Sequence, residues 1–79
     1  MPPVPTVAIN AQALREARYA KGLHQSQLAE QCGITQQYVS LLENGEKEVS
    51  QVVLGRLAAV LDVTRADLLP AVTDQVVSI

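Results

Sequence analysis

The amino-acid sequence predicts an all-α domain built from five short helices, with a short extended segment at its C-terminal end. Apolar residues recur at the i, i+3, i+4 spacing of half-buried helices, and capping or turn residues separate these segments. The chain has 79 residues, which is enough for one small core and too few for a second domain. Apolar residues make up 48% of the sequence, and neither Phe nor Trp occurs. The core must therefore consist of Leu, Val, Ile and Ala.

Residues 1–9 are predicted to form an extended N-terminal arm, because three prolines among the first five residues disfavour a helix. Residues 6–9 alternate in a way that also permits a short strand. Asn10 is predicted to cap the first helix, which ends at Gly22. The residues of that helix expected to face the core are Leu14, Ala17 and either Arg18 or Tyr19.

The most informative segment, Gln25–Gly45, predicts two short helices joined by a tight turn. In the turn, Gly33 can adopt the left-handed conformation that ends a helix, and Thr35 can cap the next helix through its hydroxyl. Ile34 between them can act as an apolar plug. This arrangement is a helix-turn-helix pattern. The inward positions of the two helices are Leu28, Ala29, Val39 and Leu42.

The second of these helices has a polar, hydrogen-bonding outer face. Gln36, Gln37 and Tyr38 open it, and Ser40 and Leu41 follow. A buried helix would be apolar at these positions, so the pattern predicts that this face binds a partner. The alternative is the solvated surface of an ordinary helix, since a pair of glutamines alone is weak evidence.

Two further helices are predicted after a turn at Asn44–Gly45. Ser50 is expected to cap the fourth helix, in which Gly55 would permit the close approach of a neighbouring backbone. Thr64 and Asp67 resemble a capping box that starts a last short helix. The core positions of the fourth helix are Leu54, Leu57, Ala58 and Leu61.

The helical domain is expected to span residues 10–70, since Pro70 ends or bends the last helix. Residues 71–79 form a separate, β-branched and apolar C-terminal tail that is predicted to be an interface strand.

Composition limits the functions that this chain can perform. The formal net charge is -2 and the pI is about 5.1, which argues against a binder that depends on a generally basic surface. The single cysteine excludes an internal disulfide, and no Cys/His cluster predicts a metal site or other cofactor. We expect a cytoplasmic protein with no membrane span. No paired carboxylates, activated nucleophile or phosphate loop predicts an enzyme.

From Leu14 to Leu69 the chain resembles the phage repressor and Cro-like, or XRE-type, helix-turn-helix family. That family includes lambdoid repressors, restriction-modification controller proteins, plasmid regulators and antitoxins. The resemblance implies a lambda-repressor-like fold and DNA binding. It rests on Leu14-Arg15, Arg18, Gly22-Leu23, Gln25, Leu28-Ala29, Gly33-Ile34, Val39-Ser40, Leu42-Glu43-Asn44-Gly45, Leu57-Ala58 and Leu61.

The same resemblance implies roles for individual residues. Gln36 and Gln37 would enter the major groove and read base edges, because a glutamine amide can both donate to and accept from adenine. Leu41 would pack against a thymine methyl group. Arg18 and Glu43 occupy the positions of an internal ion pair, the alternative being two solvated charges. The residues expected to contact the DNA backbone are Gln25, Tyr38, Ser40, Asn44 and Lys47.

Two-fold symmetric dimers of this family would bind palindromic sites, and the tail offers a dimer interface. Its predicted contacts are Val76, Val77 and Ile79, with residues 6–9 as a candidate second strand. The alternative is a frayed tail. The function implied is a homodimeric repressor that occupies an inverted-repeat operator. A restriction-modification controller, or an antitoxin or adaptor whose main partner is another protein, remains an alternative.

Overall fold

The computed structural model describes residues 5–70 and, within them, five helices and two short strands. The helices are α1 (Ala11–Ala20), α2 (Gln25–Cys32), α3 (Gln36–Glu43), α4 (Gln51–Leu61) and α5 (Arg65–Leu68). The strands are β1 (Thr6–Val7) and β2 (Val49–Ser50). The all-α prediction is confirmed. The C-terminal tail, including Val76, Val77 and Ile79, lies outside the described residues.

Local side-chain caps explain where most helices begin. Asn10 Oδ1 accepts a hydrogen bond from the Ala13 N–H at 3.0 Å, so Asn10 starts α1 as predicted. The other predicted caps are present in the same geometry. In each case a side-chain oxygen satisfies an N–H that the first helical turn leaves without a partner. These caps are Thr35 for α3, Ser50 for α4 and Thr64 for α5.

The capping box of α5 is reciprocal. The Asp67 N–H donates to Thr64 Oγ1 at 3.1 Å, and the Thr64 N–H donates to Asp67 Oδ2 at 2.9 Å. The hydrogen bond from the Thr64 N–H holds the pKa of Asp67 below its ordinary value, because it stabilises the ionised carboxylate. Asp thus serves in this box where Glu is more usual.

The turn between α2 and α3 follows the sequence prediction. Gly33 has φ +70°, and the Ile34 N–H donates to the Ala29 carbonyl at 3.0 Å. A residue with a side chain is strained at this φ. Glycine therefore lets the chain reverse within the three residues that separate the two helices.

The core lies between all five helices and consists of aliphatic side chains. Tyr19 is not part of it, because its side chain is 65% exposed, whereas Arg18 is buried. Of the two alternatives in α1, the inward residue is therefore the arginine, whose guanidinium carbon lies 4.7 Å from the centre of the Tyr19 ring. Sequence spacing alone could not separate two adjacent residues. The most deeply buried apolar side chains are Leu14, Leu28, Leu42, Leu54, Leu57, Leu68, Val39 and Val49.

The N-terminal arm is tied to the domain. β1 pairs antiparallel with β2, with Thr6 opposite Ser50 and Val7 opposite Val49. Ile9 is buried in the core, and the Asn10 N–H donates to the Leu68 carbonyl at 2.8 Å. The short strand foreseen in residues 6–9 therefore has its partner within the same chain, next to the loop that follows α3.

The sequence predicts that Gly55 permits the close approach of a neighbouring backbone, and the structure does not bear this out. A Cβ at this position would lie 2.5 Å from Nη2 of Arg65, so the close neighbour is a side chain. Arg65 is itself exposed, and its end can move into solvent. In the described part of the chain, no helix is long and apolar enough to cross a bilayer.

Two glycine substitutions are expected to change the free energy of unfolding in opposite directions. Gly55→Ala should stabilise the domain by about 0.5–1 kcal/mol, because alanine is favoured inside a helix and Arg65 can move aside. Gly22→Ala should destabilise it by about 1–2 kcal/mol, because Gly22 has φ +69°. No atom lies within 4 Å of a Cβ added at Gly22, so only backbone strain acts there. Urea unfolding measures the free energy of unfolding of both variants. A loss of stability in Gly55→Ala would show that the Arg65 side chain cannot move aside.

Candidate nucleic-acid interface

α3 has an apolar inner face and a polar outer face. Val39 and Leu42 are fully buried, whereas Gln36 and Gln37 are exposed at the N-terminal end of the helix. Ser40 and Leu41, one turn further on, are half-buried. Because residues three and four apart share a helix face, these outward side chains form one continuous surface, defined here as the α3 face: Gln36, Gln37, Ser40 and Leu41.

The C-terminal end of α3 is anchored to α1 by a buried ion pair. Arg18 Nε lies 2.6 Å from Glu43 Oε2, and Arg18 Nη2 donates to Glu43 Oε1 at 2.9 Å. The two side chains are only 9% and 2% exposed. The hydrogen bond to Glu43 raises the pKa of Arg18 above its ordinary value. The pair is bidentate, which fixes orientation as well as distance.

Further donors surround the same carboxylate. Gln25 Nε2 donates to Glu43 Oε1 at 3.1 Å, and Arg18 Nη1 donates to the Leu23 carbonyl at 3.0 Å. Arg15 Nη1 donates to the backbone carbonyl of Glu43. The ion pair is thus the centre of a network that joins α1, the start of α2 and the end of α3. This satisfaction of polar atoms is what makes buried charge tolerable.

Gln25 is placed at the first turn of α2 and is half-exposed. Its amide nitrogen has two hydrogens, and the bond to Glu43 uses one of them. The second hydrogen and the free backbone N–H groups of this helix end remain able to donate to an anion. The capping residue His24 contributes through its backbone, which donates to Gln27 Oε1 at 2.8 Å.

The loop after α3 is held in place by Tyr38 and by the N-terminal arm. The Tyr38 hydroxyl donates to the Glu48 carbonyl at 3.3 Å, and Thr6 Oγ1 donates to Glu48 Oε1 at 2.6 Å. Tyr38 has a single O–H donor, so it could donate to a phosphate only by giving up this bond. Asn44 and Lys47 in the same segment are exposed. An open cleft of about 290 Å³ separates the loop from residues 8–9.

The single cysteine of the chain is not placed to act as a nucleophile. Cys32 is buried, and desolvation raises the pKa of its thiol despite the opposing effect of Arg56. A protonated buried thiol is inert. Residues 5–70 contain no group of three His, Cys, Asp or Glu residues that could hold a metal ion.

The profile of the family described as Helix-turn-helix matches residues 14–68 of the chain. The chain belongs to the XRE-type helix-turn-helix family. Members of this family are DNA-binding transcriptional regulators, and this chain is one of them by membership. The family and the short two-stranded segment beside five helices agree with the lambda-repressor-like fold expected from the sequence.

Solved structures of related proteins agree with this membership. The restriction-modification controller protein C.AhdI from Aeromonas hydrophila is 42% identical, with a TM-score of 0.69 over 72% of this chain and 86% of that chain. SinR, a master regulator for biofilm formation solved in complex with DNA, is 32% identical, with a TM-score of 0.70 over 73% and 97% of the two chains. No curated protein sequence matches the chain.

A third similar structure belongs to an enzyme. Hydroxypropylphosphonic acid epoxidase from S. wedmorenis is 34% identical, with a TM-score of 0.70 over 76% of this chain. The match covers only 32% of the epoxidase chain. The likeness therefore extends to one part of that enzyme and leaves two thirds of it without a counterpart here.

The structure brings together residues that are distant in the sequence and adds one residue, Arg15, to the site. Arg18, Gln25 and Glu43 meet at one point of this helix-turn-helix domain, although 25 positions separate the arginine from the glutamate. Arg15 was not expected to contact α3. Its position three residues before Arg18 indicates that both arginines lie on the face of α1 that meets α3, because residues three apart share a helix face.

Breaking the ion pair from one side is expected to destabilise the domain more than removing it altogether. Arg18→Met or Glu43→Leu alone leaves a buried charge without a partner and should cost about 3–5 kcal/mol. The double variant removes both charges and should cost less than either single change. Urea unfolding of the four proteins measures the coupling.

The control for this experiment is the exposed pair Gln12 and Glu16, whose side chains hydrogen-bond at 3.0 Å. Gln12→Ala should change stability by less than about 0.5 kcal/mol, because exposed i, i+4 pairs contribute little. If the losses from Arg18→Met and Glu43→Leu simply add in the double variant, the two charges do not depend on each other.

Proposed function

We propose that this protein is a homodimeric transcriptional repressor that recognises an inverted-repeat operator through α3. The observation that carries the proposal is the α3 face. Its glutamines are exposed at the N-terminal end of a helix that the Arg18–Glu43 ion pair anchors to α1. In a helix-turn-helix domain, this end of the second helix meets the base edges in the major groove. Binding alone then blocks a promoter, and no chemical step is needed.

Gln36 and Gln37 are the proposed base readers. Each side chain is exposed and can therefore reach base edges in the groove. A bidentate amide contact to adenine contributes roughly 1–3 kcal/mol of discrimination. Leu41, half-buried on the same face, supplies an apolar surface for a thymine methyl group.

Backbone contacts are proposed on both sides of this face. Gln25 retains an amide hydrogen and Asn44 and Lys47 are exposed, so all three suit phosphate oxygens. Ser40 lies beside Leu41 with its hydroxyl as a further donor. Tyr38 contributes mainly by holding the loop through Glu48. These contacts set the register of the protein on DNA without reading sequence.

The dimer is proposed because one small module reads few base pairs. Two recognition helices about 34 Å apart would face successive major grooves on the same side of the duplex. Val76, Val77 and Ile79 of the tail are the proposed interface. The similarity to C.AhdI favours a restriction-modification controller as the second candidate.

Selection of bound sites from random duplex DNA tests the repressor proposal. The wild-type protein should enrich an inverted repeat, whereas Gln36→Ala and Gln37→Ala should each lose preference at particular base pairs of each half-site. Gln12 is an exposed glutamine on α1. Its variant Gln12→Ala is the matched control and should select the wild-type motif. If wild type enriches nothing even at low salt, DNA recognition is refuted and a protein partner, as in an antitoxin or adaptor, becomes the function to test.

A charge in the tail should separate the two protomers. Val77→Asp places a carboxylate in the proposed apolar interface, where its desolvation is unfavourable, and should shift the protein from dimer to monomer at micromolar concentration. Sedimentation equilibrium measures the change, and Ser78→Asp provides a control with the same added charge at a polar position. A Val77→Asp protein that remains as dimeric as wild type would place the interface elsewhere.

A further inference from the structure

Arg15 joins α1 to the end of α3. Its Nη1 donates to the backbone carbonyl of Glu43, which is the last residue of α3. The last carbonyls of a helix have no partner within the helix, and a cation there also opposes the negative end of the helix dipole. This contact holds the guanidinium at a defined position on the surface of the domain.

The hydrogen bond to the Glu43 carbonyl does not neutralise the charge of Arg15. Among residues 5–70 the Arg18–Glu43 pair is the only ion pair, so no carboxylate in this part of the chain neutralises Arg15. A guanidinium carries five N–H donors, and the Glu43 carbonyl is the acceptor that the structure shows for them. The side chain is half-buried, which leaves part of it in contact with solvent.

Two of the proposed DNA-backbone contacts adjoin the same point. Asn44 directly follows Glu43 and is exposed, and Gln25 donates to the Glu43 carboxylate. Arg15, Gln25 and Asn44 therefore converge on Glu43 from α1, α2 and the end of α3. Of these three side chains, only that of Arg15 is charged.

We propose that Arg15 is an additional DNA-binding residue, which presents a fixed guanidinium beside Gln25 and Asn44 to a phosphate oxygen of the duplex. The inference rests on the proposed function and adds a charged contact to it. Arginine suits this position because its planar fork can bond the Glu43 carbonyl and a phosphate at the same time. A protein with a formal net charge of -2 would thereby place positive charge where a phosphate passes.

The test is the salt dependence of DNA binding by Arg15→Gln. Affinity is measured over a series of salt concentrations for the selected operator and for an unrelated duplex of equal length. A phosphate contact by a cation contributes about 0.9 to the slope of log K against log salt concentration. The slope should therefore fall by about 0.9 for each Arg15 that contacts the duplex, with a similar loss on both duplexes and unchanged base preferences.

Three further variants distinguish a phosphate contact from a helix cap. Arg15→Lys should keep the wild-type slope, because lysine still binds phosphate as a point charge. Arg15→Met should repeat the result of Arg15→Gln while keeping the apolar stem. Arg65→Gln removes the same charge from the side chain that lies over Gly55 of α4, and it should leave the slope unchanged. Circular dichroism at the binding temperature verifies that every variant is folded.

The outcomes separate this inference from the proposed function. If wild type binds DNA and Arg15→Gln has the wild-type slope, Arg15 is a structural cap and the inference is overturned while the repressor proposal stands. If Arg65→Gln lowers the slope as much as Arg15→Gln, the effect is one of overall charge and the inference also fails. If wild type binds neither duplex at low salt, the proposed function fails and the inference fails with it.

Discussion

The position of α3 depends on one buried charge, the Glu43 carboxylate, which must be hydrogen-bonded. Removing a carboxylate from water is costly, and this is offset only when strong hydrogen bonds replace the lost hydration. Arg18 provides two of those bonds and Gln25 a third. Since the donors come from different helices, the carboxylate is fully bonded only when α1, α2 and the end of α3 stand in their native arrangement. The ion pair therefore specifies geometry, whatever its net contribution to stability.

The acidic balance of the chain is compatible with DNA binding because affinity and sequence recognition come from different contacts. Phosphate contacts supply most of the salt-dependent affinity, and base contacts supply the discrimination. Glu46 and Glu48 lie in the loop after α3, where they would repel a phosphate in the proposed complex, and Glu48 accepts a hydrogen bond from Thr6. A regulator built in this way would bind random DNA weakly, so that competition from non-specific sites in a genome is reduced.

Local features of this fold could be predicted from the sequence, and most long-range ones could not. Asn10, Thr35, Ser50 and Thr64 were identified as caps because a cap acts on an N–H three residues away. Pairing of Thr6 with Ser50 and the contact of Arg65 with Gly55 depend on how distant segments pack, which spacing does not encode. Spacing likewise cannot decide whether Arg18 or Tyr19 faces the core, because the two residues are adjacent. The Arg18–Glu43 contact could be anticipated only through the family resemblance, since nothing local joins the two residues.

α3 is fixed at both ends, by local contacts at its start and by long-range contacts at its end. Gln36 and Gln37 sit at one end of α3, next to the Thr35 cap and the Gly33 turn, whereas Glu43 holds the other end. Eight helical residues rise about 12 Å, so these two fixed points determine the direction of the helix axis. A change at Glu43 that tilts α3 would displace the glutamines although it touches no DNA. In the proposed complex, base recognition would therefore depend on buried polar contacts as much as on the exposed residues that would meet the bases.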